Sequence, residues 1–326
     1  MIRLRTTSSP ALVAVLALTA CGTGKMGDPA GLGDPDAATT GGADAGGGGP
    51  QPEADASTSE STCRPPQLMI VLDRSGSFAR RPNGTVPPNT ADGKRETRWH
   101  IALTGIKTVA ADLEDGLQFG LALFPRDPDG AGGQDCSDLG TWLDEYLPPE
   151  TTDGQCNPGE MKVSPALMNA GALDGAITLN NTGLCSWTPI GAGLSAARGE
   201  LDAIRDEEYE QYALLVTDGK DNCDGKDGYS TGSLANADAM QAAGIDLYVV
   251  GFDGTGADLD PAHLNDLACA GHTAVDFASN CREVANGFRA VASPSPARLY
   301  YLATELGSLQ AAISAISEDL SCDQVD

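Results

Sequence analysis

The feature that most constrains how this 326-residue chain folds is a series of short, unbroken apolar runs separated by stretches with helical spacing. Gln67-Leu-Met-Ile-Val-Leu72 is the first, and Gln118–Phe124, Tyr212–Thr217 and Ile245–Phe252, the last interrupted by Asp246, read as further strands. Arg98–Leu113 carries Ile101, Leu103, Ile106, Val109, Ala110 and Leu113 at helical spacing. A run of this length without polar alternation suits a strand covered on both faces. Pro189–Ile204, Leu234–Ala243 and Ala262–Cys269 read as helices, Cys281–Val291 as a further helix, and Arg298–Ala303 as a last strand. Glu305–Leu320 reads as a closing helix with Leu306, Leu309, Ala312, Ile313 and Ile316 on one face. Strands alternating with helices predict an α/β fold, a doubly wound and mostly parallel sheet flanked by helices. In such open sheets ligands bind beyond the carboxyl ends of the strands, so the polar loops after strands are the places to search.

The first 62 residues follow different rules. Arg3 and Arg5 precede an apolar run, Ala11–Ala20, that is too short to span a bilayer as a helix. Small residues and Cys21 follow, which together read as an export signal over residues 1–20. The ending Leu18-Thr-Ala-Cys21 resembles the lipobox of bacterial lipoproteins, which implies acylation of Cys21 and anchoring to a membrane. Gly22 after that cysteine favours the outer membrane or cell surface over the inner membrane, by the same resemblance. Residues 21–62 are Gly, Ala, Asp, Thr, Pro and Ser with almost no large apolar side chain, the composition of a flexible tether. The folded part is thus expected over 63–326, with insertions at about 125–164 and 274–297. The first of these is rich in Gly, Pro and Asp and holds Cys136 and Cys156.

Forty-six acidic residues stand against 20 basic ones, a net charge of −26. Such a surface repels phosphate backbones, so nucleic acid is excluded as a partner class, and cations or cationic partners are favoured. Nine cysteines leave eight once Cys21 is set aside, an even number that suits disulfides in an exported chain. There is no Cys-x-x-Cys pair and the three histidines are scattered, which argues against a zinc site. Gly22-Thr-Gly-Lys25 lacks the first glycine, the hydroxyl and the preceding strand of a phosphate loop.

The chemistry concentrates at three places. The first strand runs into Asp73-Arg74-Ser75-Gly76-Ser77; Thr188-Pro189-Ile190-Gly191 opens a helix; the third strand runs into Thr217-Asp218-Gly219. One sheet edge can gather Asp73, Ser75, Ser77, Thr188 and Asp218, an all-oxygen set that suits Mg²⁺ or Mn²⁺, with Ca²⁺ behind them. Singly, each motif also reads as a helix cap or a strand-ending turn. In this order they resemble the metal-ion-dependent adhesion site of the von Willebrand factor A family, over roughly Cys63–Cys322. That resemblance implies a Rossmann-like fold, with Ser75, Ser77 and Thr188 as direct ligands and Asp73 and Asp218 supplying charge and orientation. It also implies a partner whose carboxylate completes the metal shell. Two departures stand out: the long Asp73–Thr188 interval, and about 25 residues, including Cys281, between Thr273 and Arg298.

Cys185 lies just before Thr188 and Cys223 just after Asp218, so a Cys185–Cys223 bond would tie the two ligand-bearing loops together. Nearness further suggests Cys136–Cys156 and Cys269–Cys281, which leaves Cys63–Cys322 to join the ends of the domain. The acidic loop from Asp218 to Gly228 fails the twelve-residue calcium-loop spacing and reads as a solvated loop. His100, His263 and His272 stand at no strand end in the order a serine hydrolase needs. The expected function is therefore that of a non-enzymatic, lipid-anchored binder of a protein ligand. A structural or sensory component of an envelope assembly is the alternative, and a hydrolase ranks behind both.

Overall fold

The structure, a computed structural model, describes residues 64–88, 90–126, 156, 158–177, 187–218, 221–223, 232–253, 259–291 and 298–320. The export signal, Cys21 and the tether expected over 21–62 lie outside the described residues, as do Cys63, Cys136, Cys185 and Cys322. Six strands form one sheet: β1 (Gln67–Asp73), β2 (Gln118–Phe124), β3 (Glu160–Ala166), β4 (Gln211–Thr217), β5 (Ile245–Phe252) and the short β8 (Tyr301–Ala303). Their spatial order is β3-β2-β1-β4-β5-β8. Every pairing is parallel except β2 with β3. A second, two-stranded ribbon joins β6 (Cys281–Val284) to β7 (Gly287–Ala290).

The central strand shows why the sheet is covered on both sides. All seven residues of β1 are buried. Leu68, Ile70 and Leu72 point into one apolar cluster, and Met69 and Val71 into the other. The first cluster lies under α1 (Arg98–Leu113) and α6 (Leu306–Leu320). The second lies under α3 (Ile190–Ala203), α4 (Ser233–Ala242) and α5 (Pro261–Ala270). Each large side chain so buried contributes roughly 1.5–3 kcal/mol. A small helix, α2 (Ala170–Ala176), adds Leu173 to the first cluster.

Local chemistry fixes where the helices begin. The Thr97 side chain accepts from the His100 amide and starts α1. Asp260 accepts from the His263 amide and starts α5, whose first residue is Pro261.

Two sequence expectations are corrected. Residues 281–291 are an antiparallel ribbon, not a helix. The tail of the segment read as an insertion over 125–164 is a strand of the main sheet: β3 pairs antiparallel with β2 and forms one edge. Its polar side chains and Pro165 disguise it, since an edge strand needs neither apolar continuity nor every amide hydrogen.

Candidate metal centre

Sheet register brings the polar strand ends to one edge. Asp73 stands beside Phe124, Leu72 beside Val216, and Thr217 beside Gly251. Asp73, Asp218 and Asp253 therefore arrive at the carboxyl ends of β1, β4 and β5, and all three are buried.

The loop after β1 turns immediately. The Ser75 amide donates to Asp73 Oδ1 at 2.7 Å, and residues Gly76–Ala79 form one turn of 3-10 helix. The Thr217 hydroxyl donates to Asp73 Oδ2 at 2.6 Å, tying β4 to β1 across the sheet edge. Ser75 Oγ and Ser77 Oγ lie 3.0 Å apart, and Ser77 Oγ donates to Asp218 Oδ1 at 2.6 Å. Asp73, Ser75, Ser77 and Asp218 thus form one continuous hydrogen-bonded set.

Thr188 is buried at the entry to α3. Its amide donates to Asn222 Oδ1 at 3.0 Å, and the Gly191 amide donates to Asp221 Oδ2 at 3.3 Å. The Thr188 and Asp218 loops are therefore joined through Asn222 and Asp221, whereas the structure records no hydrogen bond from the Thr188 side chain to the serine–aspartate set. Close packing fixes the height of α3 over the sheet: a Cβ on Gly193 would stand 2.4 Å from the Phe124 ring.

Three residues of this site escape a reading of motifs. Arg98, the first residue of α1, is fully buried and donates through Nη1 to Asp218 Oδ2 and through Nη2 to Asp253 Oδ1, the latter at 3.0 Å. Its sequence signal was a cation on the buried stripe of a helix, in line with Ala102, Ile106 and Val109. Asp253 follows β5 directly, the same sheet-edge position that identified Asp73 and Asp218. Arg74, inside the Asp-x-Ser-x-Ser stretch, is also buried and donates to the Pro125 carbonyl from Nε at 3.1 Å and from Nη2 at 2.8 Å.

The electrostatics favour a cation. Burial, then the nearby Asp218 charge, push the Asp73 carboxyl up to about 8, against the hydrogen bonds from Thr217 and Ser75, which lower it. A buried carboxylate held in this way is short of positive charge, and the groups around it are oxygen donors. This donor set fits a hard divalent cation. Among the described residues no group of three or more His, Cys, Asp and Glu side chains is arranged as a metal cage. The donors that would have to complete a site are hydroxyls.

Of the two disulfides among the described residues, Cys269–Cys281 is as expected and the other is not. Cys156 is bonded to Cys223, so neither Cys136–Cys156 nor Cys185–Cys223 holds. Nearness in sequence misled because β3 returns its leading residue to the same sheet edge as the loop after β4. Cys269 is bonded to Cys281, and the expected Cys63–Cys322 pair lies outside the described residues.

The only serine–histidine contact recorded among the described residues is elsewhere. Ser233 Oγ and His263 Nε2 lie 2.9 Å apart where α4 and α5 begin. Ser233 has no exposed surface, and Asp260 engages the His263 backbone rather than its ring. The pair links two helices and offers no accessible nucleophile. His100 lies on α1 and His272 packs against Phe277 and Phe288.

Residues 176–288 match the family model of the von Willebrand factor type A domain, a span that includes Thr188 and Asp218 and begins after the Asp73 loop. Over that span the chain is similar to von Willebrand factor type A domains. It is 26% identical over 195 residues to the uncharacterized protein YwmC of Bacillus subtilis (strain 168), covering 58% of this chain and 67% of that one. Among solved structures it is similar to a von Willebrand factor type A protein from Catenulispora acidiphila, at 15% identity and a TM-score of 0.47, covering 78% of this chain and 42% of the other. It is also similar to the PilB minor pilin from Streptococcus sanguinis, at 16% identity and a TM-score of 0.46, covering 78% of this chain and 60% of the pilin. The chain thus spans less than two thirds of either of those structures.

Proposed function

We propose that this von Willebrand factor A domain binds a divalent cation, Mg²⁺ or Mn²⁺, and through it captures a protein ligand by a carboxylate, without catalysis. The observation that carries the reading is the hydrogen-bonded set of Asp73, Ser75, Ser77 and Asp218 at the sheet edge, with the buried Asp73 carboxyl pushed up to about 8. Ser75, Ser77 and Thr188 would hold the ion, with Asp73 and Asp218 supplying charge and orientation. Bound there, the ion would supply a coordination position for an outside carboxylate. Arg98 keeps Asp218 and Asp253 in place from beneath, so the set is oriented by the protein itself.

The non-catalytic reading rests on the same residues. Among the described residues no histidine is hydrogen-bonded to Ser75 or Ser77, and the carboxylate beside Ser77, that of Asp218, is also engaged by Arg98. Export and a lipid anchor at Cys21 are part of the proposal. They rest on the sequence of residues 1–21, while no helix among the described residues is long and apolar enough to cross a membrane.

The test is binding of Mn²⁺ alone to the full chain, followed by electron paramagnetic resonance, with acetate as the carboxylate probe. One bound ion whose signal changes with acetate is expected, and Asp73→Ala or Ser77→Ala should remove both effects. Mn²⁺ binding unchanged in both variants would refute the site. Membrane partitioning that persists after Cys21→Ser would refute the anchor.

A further inference from the structure

The disulfide that replaces the expected one reaches further than a cross-link between two loops. Cys156 and the residues that lead into β3 touch all three ligand-bearing loops. The Cys156–Cys223 bond, with a Cα–Cα distance of 5.7 Å, fastens them to the loop after Asp218. Gly159 lies against the first turn of α3, where a Cβ would stand 2.5 Å from the Ala192 carbonyl oxygen and 2.8 Å from the Ala196 Cβ. The Glu160 carboxylate is 3.4 Å from Nη2 of Arg74, the buried residue between Asp73 and Ser75. The Arg126 amide donates to the Pro158 carbonyl at 2.7 Å, which fixes the segment to the end of β2.

The far side of the disulfide is equally organised. Cys223 donates its amide to Asp221 Oδ1 at 3.0 Å. The other oxygen of the same carboxylate receives the Gly191 amide, and the neighbouring Asn222 receives the Thr188 amide. The position of Cys223 is thereby transmitted within two residues to the helix entry that carries Thr188.

We infer that the Cys156–Cys223 bond and residues Pro158–Glu160 form a clasp that positions the Asp73, Thr188 and Asp218 loops relative to one another and so sets the cation affinity of the site. This rests on the metal-binding reading for the affinity but not for the positioning. The second disulfide, Cys269–Cys281, is the internal control. It ties α5 to the β6–β7 ribbon and touches none of the three loops.

The experiment compares the full chain with C156S/C223S and with C269S/C281S. In metal-free buffer, hydrogen exchange should show the Thr188 and Gly191 amides losing protection by about tenfold or more in C156S/C223S only. The Mn²⁺ affinity should fall by about 10–100-fold in the same variant only, the range seen when groups behind metal ligands are removed. If C156S/C223S does not fold, Gly159→Ala tests the same clasp with the disulfide intact, and the same amides should lose protection. Equal protection in the two double variants overturns the inference, as does an affinity loss without loss of protection. If the unmodified chain holds no Mn²⁺ while the selective loss of protection appears, the clasp stands and the metal reading falls.

Discussion

Arg98→Met isolates the contribution of a single buried charge. The arginine has no exposed surface, and the two carboxylates it pairs with, those of Asp218 and Asp253, are buried as deeply. Methionine fills much of the same space along an unbranched stem but leaves both carboxylates without that guanidinium. Breaking a buried ion pair from one side costs about 3–5 kcal/mol, because a charge is left uncompensated in a medium that solvates it poorly. Against a domain stability of about 5–15 kcal/mol, that is a large fraction. At roughly 2–4 °C per kcal/mol for a domain of this size, the melting temperature should fall by about 6–20 °C. The assay is urea unfolding in EDTA, read as a shift in midpoint at constant slope. The triple change R98M/D218N/D253N should recover much of the loss, since it removes the stranded charges together with their partner. Mg²⁺ should stabilise R98M more than the unmodified chain, by supplying Asp218 with another cation. A loss under about 1 kcal/mol, the range of an exposed pair, would refute the claim that Arg98 neutralises this edge.

Thr217→Val should cost about 1–3 kcal/mol, since it strips a 2.6 Å donor from a buried carboxylate oxygen, while Thr217→Ser should retain most of the stability in the same urea titration. Gly193→Ala should lower stability by about 1–3 kcal/mol in calorimetry, because its methyl would meet the Phe124 ring at 2.4 Å in a filled core. Burial first, then the charges of Asp319, Tyr301 and Asp246, push the Tyr248 phenol up to about 12. The unfolded phenol releases its proton near 10, so this contribution to stability is complete below pH 10 and is lost as the pH rises to about 12. Tyr248→Phe should flatten that alkaline loss, and an ultraviolet phenolate titration should show one slow-titrating tyrosine fewer.

How much was legible in advance depended on whether a residue's role was set locally. Strands β1, β2 and β4 are almost wholly apolar and β5 is so from Leu247 onward, as a strand buried on two faces requires. Asp73, Ser75, Ser77 and Asp218 were legible as a group because strand ends converge by topology. The β6–β7 ribbon turns through Ala285-Asn286, with Gly287 opening β7, a turn that the helix reading passed over. Gly287 adopts φ +129, which a side chain resists. The Arg98 bridge was not legible, since its partners lie 120 and 155 residues away and only the folded sheet selects them. The pairing of Cys156 with Cys223, 67 residues apart, was missed for the same reason, whereas nearness correctly paired Cys269 with Cys281, 12 residues apart.

The position of β1 in the middle of the sheet has a kinetic consequence. One of its neighbours, β2, follows within a single helical excursion, but the other, β4, pairs across a separation of 144 residues, the interval between Asp73 and Thr217. Closing a loop of that length is entropically slow, and pairings of this kind dominate folding times. As the chain emerges from its N-terminus, residues 67–124 can gather early, leaving one flank of β1 bare until residue 217 has appeared. The sheet edge that gathers Asp73 and Asp218 therefore does not exist in any shorter nascent chain. Its assembly and the burial of that bare flank are one event, and a slow passage through that interval is when this protein is most exposed to wrong partners.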